Sequence, residues 1–155
     1  MFRIMFVCHG NICRSPMAEL IFQKLIAERR LSDQFIIASS ATSDEEIWNG
    51  IGNPVYPPAR AELAKHGIDC GDKRAVQLTA EDGDRYDLFI CMDRRNVMNA
   101  KRILGSDHAS KIRLLLSYTE HARDVSDPWY TRSFDVAYTD IYDGCVALLN
   151  HLTEH

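Results

Sequence analysis

RIMFVCHGNICRSPMAE, residues 3–19, decides the fold, because it joins two hydrophobic patterns through one short turn. The stretch from Arg3 to Val7, apolar after its first residue, is typical of a short buried strand. From Pro16 the apolar residues fall at positions i, i+3, i+4 and i+8, which predicts an amphipathic helix; they are Met17, Leu20, Ile21 and Leu25. The turn between the two patterns is therefore predicted to pass directly from a strand into a helix.

This turn has the composition of an anion-binding loop. Successive backbone N–H groups in such a loop can point inward, and the helix N-terminus adds partial positive charge. Gly10 allows a positive φ or a close backbone approach, and Arg14 offers a planar pair of donors for two phosphate oxygens. The same field favours the thiolate of Cys8, which makes a nucleophile near neutral pH. Taken singly, Cys8 would be a buried side chain and Arg14 a surface charge; their place on this turn favours a phosphate site.

The rest of the chain alternates predicted strands with predicted helices. The further strands are expected at Phe35–Ala38, Tyr86–Met92 and Ile112–Leu116, and the further helices at 59–66, 93–104 and 134–152. Residues 39–58, rich in Ser, Gly, Asn and Pro, are predicted to form a long loop. The alternation predicts a three-layer α/β/α sandwich with a four-stranded parallel sheet, in a single domain that covers residues 1–155. Sites in such sheets lie beyond the carboxyl ends of the strands, where Cys8 and Asp93 are expected.

The composition argues against some classes of partner and indicates the cellular compartment. A net charge of −4 and an isoelectric point near 5.8 argue against a nucleic-acid partner. The N-terminus lacks the pattern of a signal peptide, and no apolar stretch has the roughly 20 residues that span a bilayer. The cysteines are odd in number and irregularly spaced, which predicts reduced thiols in a cytoplasmic protein; they are Cys8, Cys13, Cys70, Cys91 and Cys145. Cys8 and Cys13 do not have the CxxC spacing of a zinc or thioredoxin-like site.

The loop VCHGNICRSPMAE is similar to the phosphate-binding loop of the low-molecular-weight protein tyrosine phosphatases. The resemblance extends over nearly the whole chain, through SSATS, IGNP, PPARAELAKHGI, YDLFICMD with Asn96, and DPWY. It implies hydrolysis of aryl phosphate monoesters, with phosphotyrosine-containing proteins or peptides as substrates. It implies no cofactor and no metal. It also implies inorganic phosphate as a product and inhibitor, with neither nucleic acid nor a membrane as partner.

The resemblance also implies roles for particular residues. Cys8 would attack phosphorus, Arg14 and the loop amides would stabilise the equatorial oxygens, and Asp127 would protonate the leaving oxygen and then activate water. The loop residues would form the phosphate site together; they are His9, Gly10, Asn11, Ile12, Cys13 and Ser15. Ser15 would hydrogen-bond to the Cys8 thiolate, Ser39 would hold Asn11, and Asp93 would hold Arg14. Trp48, Trp129 and Tyr130 are expected to wall the substrate pocket.

Plainer interpretations of these supporting residues stay open. Ser15 and Asp93 could be helix caps, Asn11 and Ser39 could be turn residues, and Asp127–Pro128 alone is a common turn element. Cys13 is either a packing residue or a partner that forms a protective disulfide with oxidised Cys8. Lys73 and Val76 stand where many relatives have His and Arg, which leaves the local hydrogen bonds open.

Three other functions compete with a tyrosine phosphatase. An arsenate reductase on the same fold would need two relay cysteines, and Cys91 is expected to lie locked in a strand. An arginine phosphatase would suit a smaller, polar residue at Ile12, whose apolar side chain fits an aromatic ring better. A phosphate-binding protein without activity would not need Cys8, Arg14 and Asp127 together.

Overall fold

Four parallel strands form the centre of the protein in the computed structural model, which describes residues 1–154. The described residues contain six strands: β1 (Phe2–Cys8), β2 (Phe35–Ala41), β3 (Ile47–Trp48), β4 (Ile51–Gly52), β5 (Leu88–Cys91) and β6 (Ile112–Leu114). The central sheet has the order β2-β1-β5-β6, with all its pairs parallel. Strands β3 and β4 form a separate antiparallel hairpin. The predicted four-stranded parallel sheet is confirmed.

Helices cover both faces of this sheet. They are α1 (Arg14–Glu28), α2 (Pro57–Lys65), α3 (Asp82–Arg85), α4 (Arg94–Leu104), α5 (Pro128–Thr131) and α6 (Phe134–Thr153). Helices α1, α2 and α6 pack together on one face, and α4 packs against β1, β5 and β6 on the other. This is the three-layer α/β/α arrangement that the alternating pattern predicts. No helix within residues 1–154 is both long enough and apolar enough to cross a lipid bilayer.

Strand β1 is buried on both sides, which explains its continuous apolar run. Its side chains alternate between two cores: Ile4, Phe6 and Cys8 face the α1 and α6 side, and Met5 and Val7 face the α4 side. Each large apolar side chain buried in this way contributes about 1.5–3 kcal/mol of transfer free energy. The strand that carries Cys8 is thus fixed from both faces, and the loop that follows it starts from a rigid end.

The predicted long loop at residues 39–58 is partly wrong. Strand β2 continues to Ala41, pairing with β1 up to Cys8, and residues 47–52 form the β3–β4 hairpin. Its turn is Asn49–Gly50, with φ of 51° and 76°. Positive φ at both central residues is what a tight two-residue hairpin turn requires, and Asn-Gly is its strongest sequence signal. Helix α2 begins at Pro57, earlier than predicted, because a proline is well tolerated in the first turn of a helix.

The strand boundaries of β5 and β6 also differ slightly from the prediction. Strand β5 is shorter than the predicted segment 86–92, and β6 ends at Leu114, after which residues 115–118 form a 3-10 turn. Leu115 and Leu116 remain fully buried in that turn. Their burial accounts for the apolar run that predicted a longer strand, since periodicity alone does not separate a buried turn from a buried strand.

Candidate active site

The loop from Cys8 to Arg14 lies at the carboxyl end of β1 and leads directly into α1. Cys8 is only 4% exposed. Its sulfur accepts hydrogen bonds from the backbone N–H groups of Asn11, at 3.3 Å, and Ser15, at 3.4 Å. The hydroxyl of Ser15 lies 3.0 Å from the same sulfur. Three polar groups therefore converge on Cys8 Sγ, in an arrangement that favours a negative charge there.

Asn11 holds the loop in a backbone conformation that few residues adopt. Its φ is +59°, in the left-handed region that Asn tolerates better than most side chains. Its Nδ2 donates to Ser15 Oγ at 2.7 Å and to Ser39 Oγ at 2.9 Å. Its Oδ1 accepts from the backbone N–H of Val76 at 2.9 Å. These bonds join the loop to β2 and to the segment after α2, and they bring Asn11 and Ser39 together as the sequence predicts.

Arg14 is fixed before any substrate arrives. Its Nη1 donates to Asp93 Oδ2 and to the carbonyl of Val125, each at 2.8 Å, and its side chain is 4% exposed. Burial opposes the charge, but Cys8, Asp93 and Asp127 together raise the pKa of the Arg14 guanidinium above its ordinary value. Asp93 also accepts from the N–H of Asn96 and so caps α4. The two interpretations of Asp93, helix cap and holder of Arg14, hold together.

Asp127 lies at the same site, beside Arg14. Its Oδ2 lies 3.6 Å from Arg14 Nη2, and its Oδ1 accepts from the N–H of Trp129 at 3.0 Å, which caps α5. Pro128 occupies the first position of that short helix and restricts the backbone beside Asp127. A carboxyl group is thus held at the edge of the loop, where it can exchange a proton with a bound molecule.

A cavity of about 390 Å³ opens over the loop. Its aromatic wall is built around Tyr56, whose ring centroid lies 5.0 Å from that of Trp129 and 5.9 Å from that of Phe134. Arg132 donates to the Tyr56 hydroxyl at 3.2 Å. Tyr130 lines the cavity and stays 82% exposed at its rim. A flat aromatic group can enter this space above Cys8.

The structure does not place Trp48 at this cavity, so its predicted position as a pocket wall is wrong. Trp48 is 79% exposed and pairs across the hairpin with Ile51, which is also exposed. Glu46, two residues before Trp48 and just outside β3, is the residue that lies over the loop and lines the cavity. A Cβ added at Gly10 would lie 3.1 Å from Glu46 Cγ, so this position has little room for a side chain. Tyr56 supplies the wall instead.

The remaining loop residues line the cavity in different ways. His9 Nε2 lies 3.0 Å from Glu45 Oε2 at the rim, and Ile12 and Cys13 line the interior. Burial, with a further contribution from neighbouring Cys8, raises the pKa of the Cys13 thiol well above its ordinary range. Cys13 therefore stays a neutral thiol beside Cys8. Within residues 1–154 no three His, Cys, Asp or Glu side chains are grouped to hold a metal ion.

Several cavity residues are not evident from the sequence motifs: Glu45, Glu46, Tyr56, Arg95 and Phe134. They come from four separate segments that only the fold brings together. The one available signal was Tyr56, a large aromatic residue in a stretch otherwise made mostly of small and polar residues.

Comparisons with known proteins agree with this geometry. A sequence model of the family described as low molecular weight phosphotyrosine protein phosphatase matches residues 3–155. The chain is 40% identical over 146 residues to the Sus scrofa protein of that name, covering 92% of this chain and 88% of that protein. The crystal structure of YfkJ from Bacillus subtilis has a TM-score of 0.92 at 36% identity, covering 98% of this chain and 94% of that chain. The crystal structure of a low molecular weight protein tyrosine phosphatase from Streptococcus pyogenes has a TM-score of 0.87 at 36% identity, covering 99% of this chain and 95% of that chain.

Proposed function

Because this chain belongs to the low molecular weight phosphotyrosine protein phosphatase family, we propose that Cys8, Arg14 and Asp127 carry out its reaction. The chain is a protein tyrosine phosphatase, a hydrolase of aryl phosphate monoesters that acts through a cysteinyl-phosphate intermediate. The observation that supports these assignments most strongly is the convergence of two backbone N–H groups and one hydroxyl on Cys8 Sγ, beside the buried Arg14.

In the first half-reaction, the Cys8 sulfur attacks phosphorus, and an S–P bond forms as the bond to the phenolic oxygen breaks. The inward N–H groups of the loop and the Arg14 guanidinium bind the three non-bridging oxygens and stabilise their charge in the transition state. Arg14 is already held by Asp93 and Val125, so its donors need little rearrangement when the substrate binds. Such preorganisation is what makes electrostatic stabilisation effective.

Asp127 acts twice in this proposal. As a carboxylic acid it gives its proton to the leaving phenolic oxygen. As a carboxylate it then takes a proton from the water that attacks the cysteinyl-phosphate, which releases inorganic phosphate and restores the Cys8 thiolate. Its position at the cavity edge, 3.6 Å from Arg14, supports both steps, because the leaving oxygen and the attacking water occupy the same side of phosphorus.

The substrates are phosphoproteins, and we propose phosphotyrosine as the residue that is hydrolysed. The wall of Tyr56, Trp129 and Phe134 can contact a phenyl ring, and Ile12 adds an apolar surface within the cavity. Inorganic phosphate leaves as the second product, and we propose that it inhibits by occupying the loop. The free thiols of all five cysteines support a reducing, cytoplasmic location.

A panel of three peptides tests the substrate assignment. The peptides share one sequence and carry phosphotyrosine, phosphoserine or phosphoarginine at the same position. We expect kcat/KM for phosphotyrosine to exceed both others by about a hundredfold, because neither other residue offers an aromatic ring to the wall. The Cys8→Ser variant, purified identically, controls for contaminating phosphatases. Faster release of phosphate from the phosphoarginine peptide would show that the protein is an arginine phosphatase instead.

A further inference from the structure

A chain of hydrogen bonds runs from Lys73, outside the active-site cavity, to the Cys8 sulfur. Lys73 Nζ lies 2.7 Å from Glu19 Oε1. The same carboxylate oxygen accepts the hydroxyl proton of Ser39, whose Oγ accepts in turn from Asn11. Asn11 also donates to Ser15 Oγ, which lies 3.0 Å from Cys8 Sγ. Four residues thus connect the Lys73 ammonium group to the nucleophile, in a network that crosses α1, β2 and the loop.

The direction of each hydrogen bond in this chain follows from the chemistry of the groups. An ammonium group can only donate and a carboxylate can only accept, so the Ser39 proton must point to Glu19. Asn11 Oδ1 already accepts from the Val76 N–H, which fixes which end of the amide faces Ser39 and Ser15. Ser15 Oγ accepts from Asn11, and its own proton is then available for Cys8. The hydrogen-bonded network therefore directs the Ser15 hydroxyl to act as a donor, and not as an acceptor, toward the Cys8 sulfur.

Lys73 and Glu19, the charged end of this hydrogen-bonded network, are largely shielded from water. The side chains of Lys73 and Glu19 are 16% and 12% exposed, while Ser15, Ser39 and Asn11 are buried. A buried carboxylate is costly unless a cation and hydrogen bonds compensate it. Lys73 and Ser39 both contact Oε1 of Glu19. Among the described residues, the other oxygen, Oε2, accepts only one long hydrogen bond, from Gln23 at 3.5 Å. Lys73 is thus the cation that balances the Glu19 carboxylate, which accepts from Ser39.

We propose, building on the function given above, that Lys73 is a positioning residue that stabilises the Cys8 thiolate through Glu19, Ser39, Asn11 and Ser15. Without Lys73 the Glu19 charge is unbalanced, which disfavours a second negative charge at Cys8. The fixed acceptor for Ser39 is also weakened, so the hydroxyl can rotate and Asn11 loses a defined partner. Both effects reduce the thiolate fraction at low pH.

Other charged and titratable groups also lie close to Cys8 and Glu19. Cys8 interacts electrostatically with Arg14, Cys13 and Cys91, and Asp93 and Asp127 in turn act on Arg14. Glu19 also influences Tyr86. Among residues 1–154 the Lys73 side chain forms an ion pair with Glu19 and with none of these groups, so replacing Lys73 acts on Cys8 through this hydrogen-bonded network and the charge at its outer end.

The test is the pH profile of Cys8 alkylation by iodoacetamide, a neutral reagent, followed by peptide mapping of the Cys8 peptide. In Lys73→Met and Lys73→Gln we expect the midpoint to move up by about half a pH unit or more, which corresponds to at least roughly threefold slower alkylation at low pH. Lys73→Arg should restore the wild-type profile, because it keeps the cation. We expect kcat for p-nitrophenyl phosphate to fall in the Met and Gln variants while KM changes little.

Lys65→Met is the matched control, since Lys65 also pairs with a glutamate, Glu62, but on α2 and away from the cavity. It should leave the profile unchanged. In a Glu19→Gln background, where no carboxylate needs a cation, Lys73→Met should cause no further shift. A full shift in that background, or profiles of folded Lys73→Met and Lys73→Gln that match Lys65→Met, would overturn the proposal. Alkylation does not require turnover, so a wild-type protein without phosphatase activity would refute the proposed function and leave this comparison intact.

Discussion

At the scale of single residues, Cys8 and Arg14 depend on side chains that fix them before substrate binds. Ser15 and two backbone N–H groups point at the sulfur, and Asp93 occupies one side of the Arg14 guanidinium. Asp127 differs from them, because its carboxylate is partly exposed and holds Arg14 only through a 3.6 Å contact. A proton donor must change its partner during each cycle, and a loosely held carboxyl can do so.

Replacing Asp127 separates the proton donor from the nucleophile. Asp127→Ala should lower kcat by about 10²–10⁴, the usual scale of general acid–base catalysis. It also removes the cap of α5, so Asp127→Asn is measured beside it, since an amide oxygen can keep the bond to the Trp129 N–H. Both variants should lose activity least with leaving groups of low pKa, which depart without a proton. The measurement is kcat across a series of substituted phenyl phosphates.

Asp124→Ala is the control for these variants, because Asp124 lies on the same segment but contacts Arg94 outside the cavity. It should retain wild-type rates. An equal loss across all leaving groups in Asp127→Asn would argue that Asp127 is not the acid.

At the scale of elements, the connections after β1 and β2 determine the site, and the sequence predicts them unequally. The change from an apolar run to helical spacing predicts the loop between β1 and α1 correctly, because the signal is local. The hairpin after β2 was missed although Asn49–Gly50 is present, because its strands have only two residues each and no visible alternation. The orientation of Trp48 depends on that pairing, so its position could not be inferred without the hairpin.

Cys13 provides a prediction about the loop as a unit. Its raised pKa keeps it a thiol, so peroxide should oxidise Cys8 first, and the resulting sulfenic acid can condense with Cys13. Hydrogen peroxide should then inactivate the wild type reversibly, and phosphate should protect it. In Cys13→Ser a larger fraction should remain inactive after thiol reduction, whereas Cys70→Ser, which changes a buried thiol outside the cavity, should behave as the parent. If peptide mapping of the oxidised wild type finds no Cys8–Cys13 disulfide, and Cys13→Ser recovers fully, Cys13 is only a packing residue.

The pairing of β1 with β5 carries a pH-dependent contribution to stability. Asp87 accepts from the side chain and the backbone N–H of Arg3, and chiefly the side-chain hydrogen bond lowers the pKa of Asp87 below its usual range. A lowered pKa in the folded state means that the contribution is complete above the unfolded pKa of about 3.9 and disappears as pH falls through the folded value. Asp87→Asn should therefore be less stable than wild type near pH 6, and the difference should shrink below about pH 4.

The free energy of unfolding in urea, measured at several pH values, checks this prediction. Both side chains are partly exposed, so the effect should be small and should weaken with salt. Asp107→Asn, at an exposed carboxylate, serves as the control. A difference between wild type and Asp87→Asn that stays constant from pH 6 to pH 3 would contradict the assignment.

At the scale of the whole molecule, the site is assembled from segments that are far apart in sequence. Cys8 and Arg14 were predictable because they share one loop, and Asp127 because the DPWY motif resembles that of the family. No motif links Glu46, Tyr56 and Phe134 to the loop, since only the packing of the hairpin, α2 and α6 around it brings them together. The pair of Lys73 and Glu19 is equally invisible in the sequence, because it depends on the position of the segment after α2 beside α1.

Both cores meet on β1, which predicts one cooperative unit. The core on the α1 and α6 side and the core on the α4 side share this strand, so neither core can lose its packing without loosening the strand on which the other core is built. We propose that residues 1–155 form a single domain, and we expect one unfolding transition in urea that coincides by tryptophan fluorescence and by far-ultraviolet circular dichroism. Two separated transitions would show that the two faces unfold independently.

Mass spectrometry of a trapped phosphoenzyme tests most directly whether Cys8 Sγ forms the covalent bond to phosphorus. Asp127→Asn is mixed with p-nitrophenyl phosphate, whose leaving group needs no acid, and is quenched in denaturant within the first turnover. Loss of the general base slows hydrolysis of the intermediate, so the phosphate should accumulate on one peptide and map to Cys8. The same experiment with Cys8→Ser should show no phosphopeptide. Phosphate on any other residue, or turnover by the wild type with unmodified Cys8 throughout, would contradict the account.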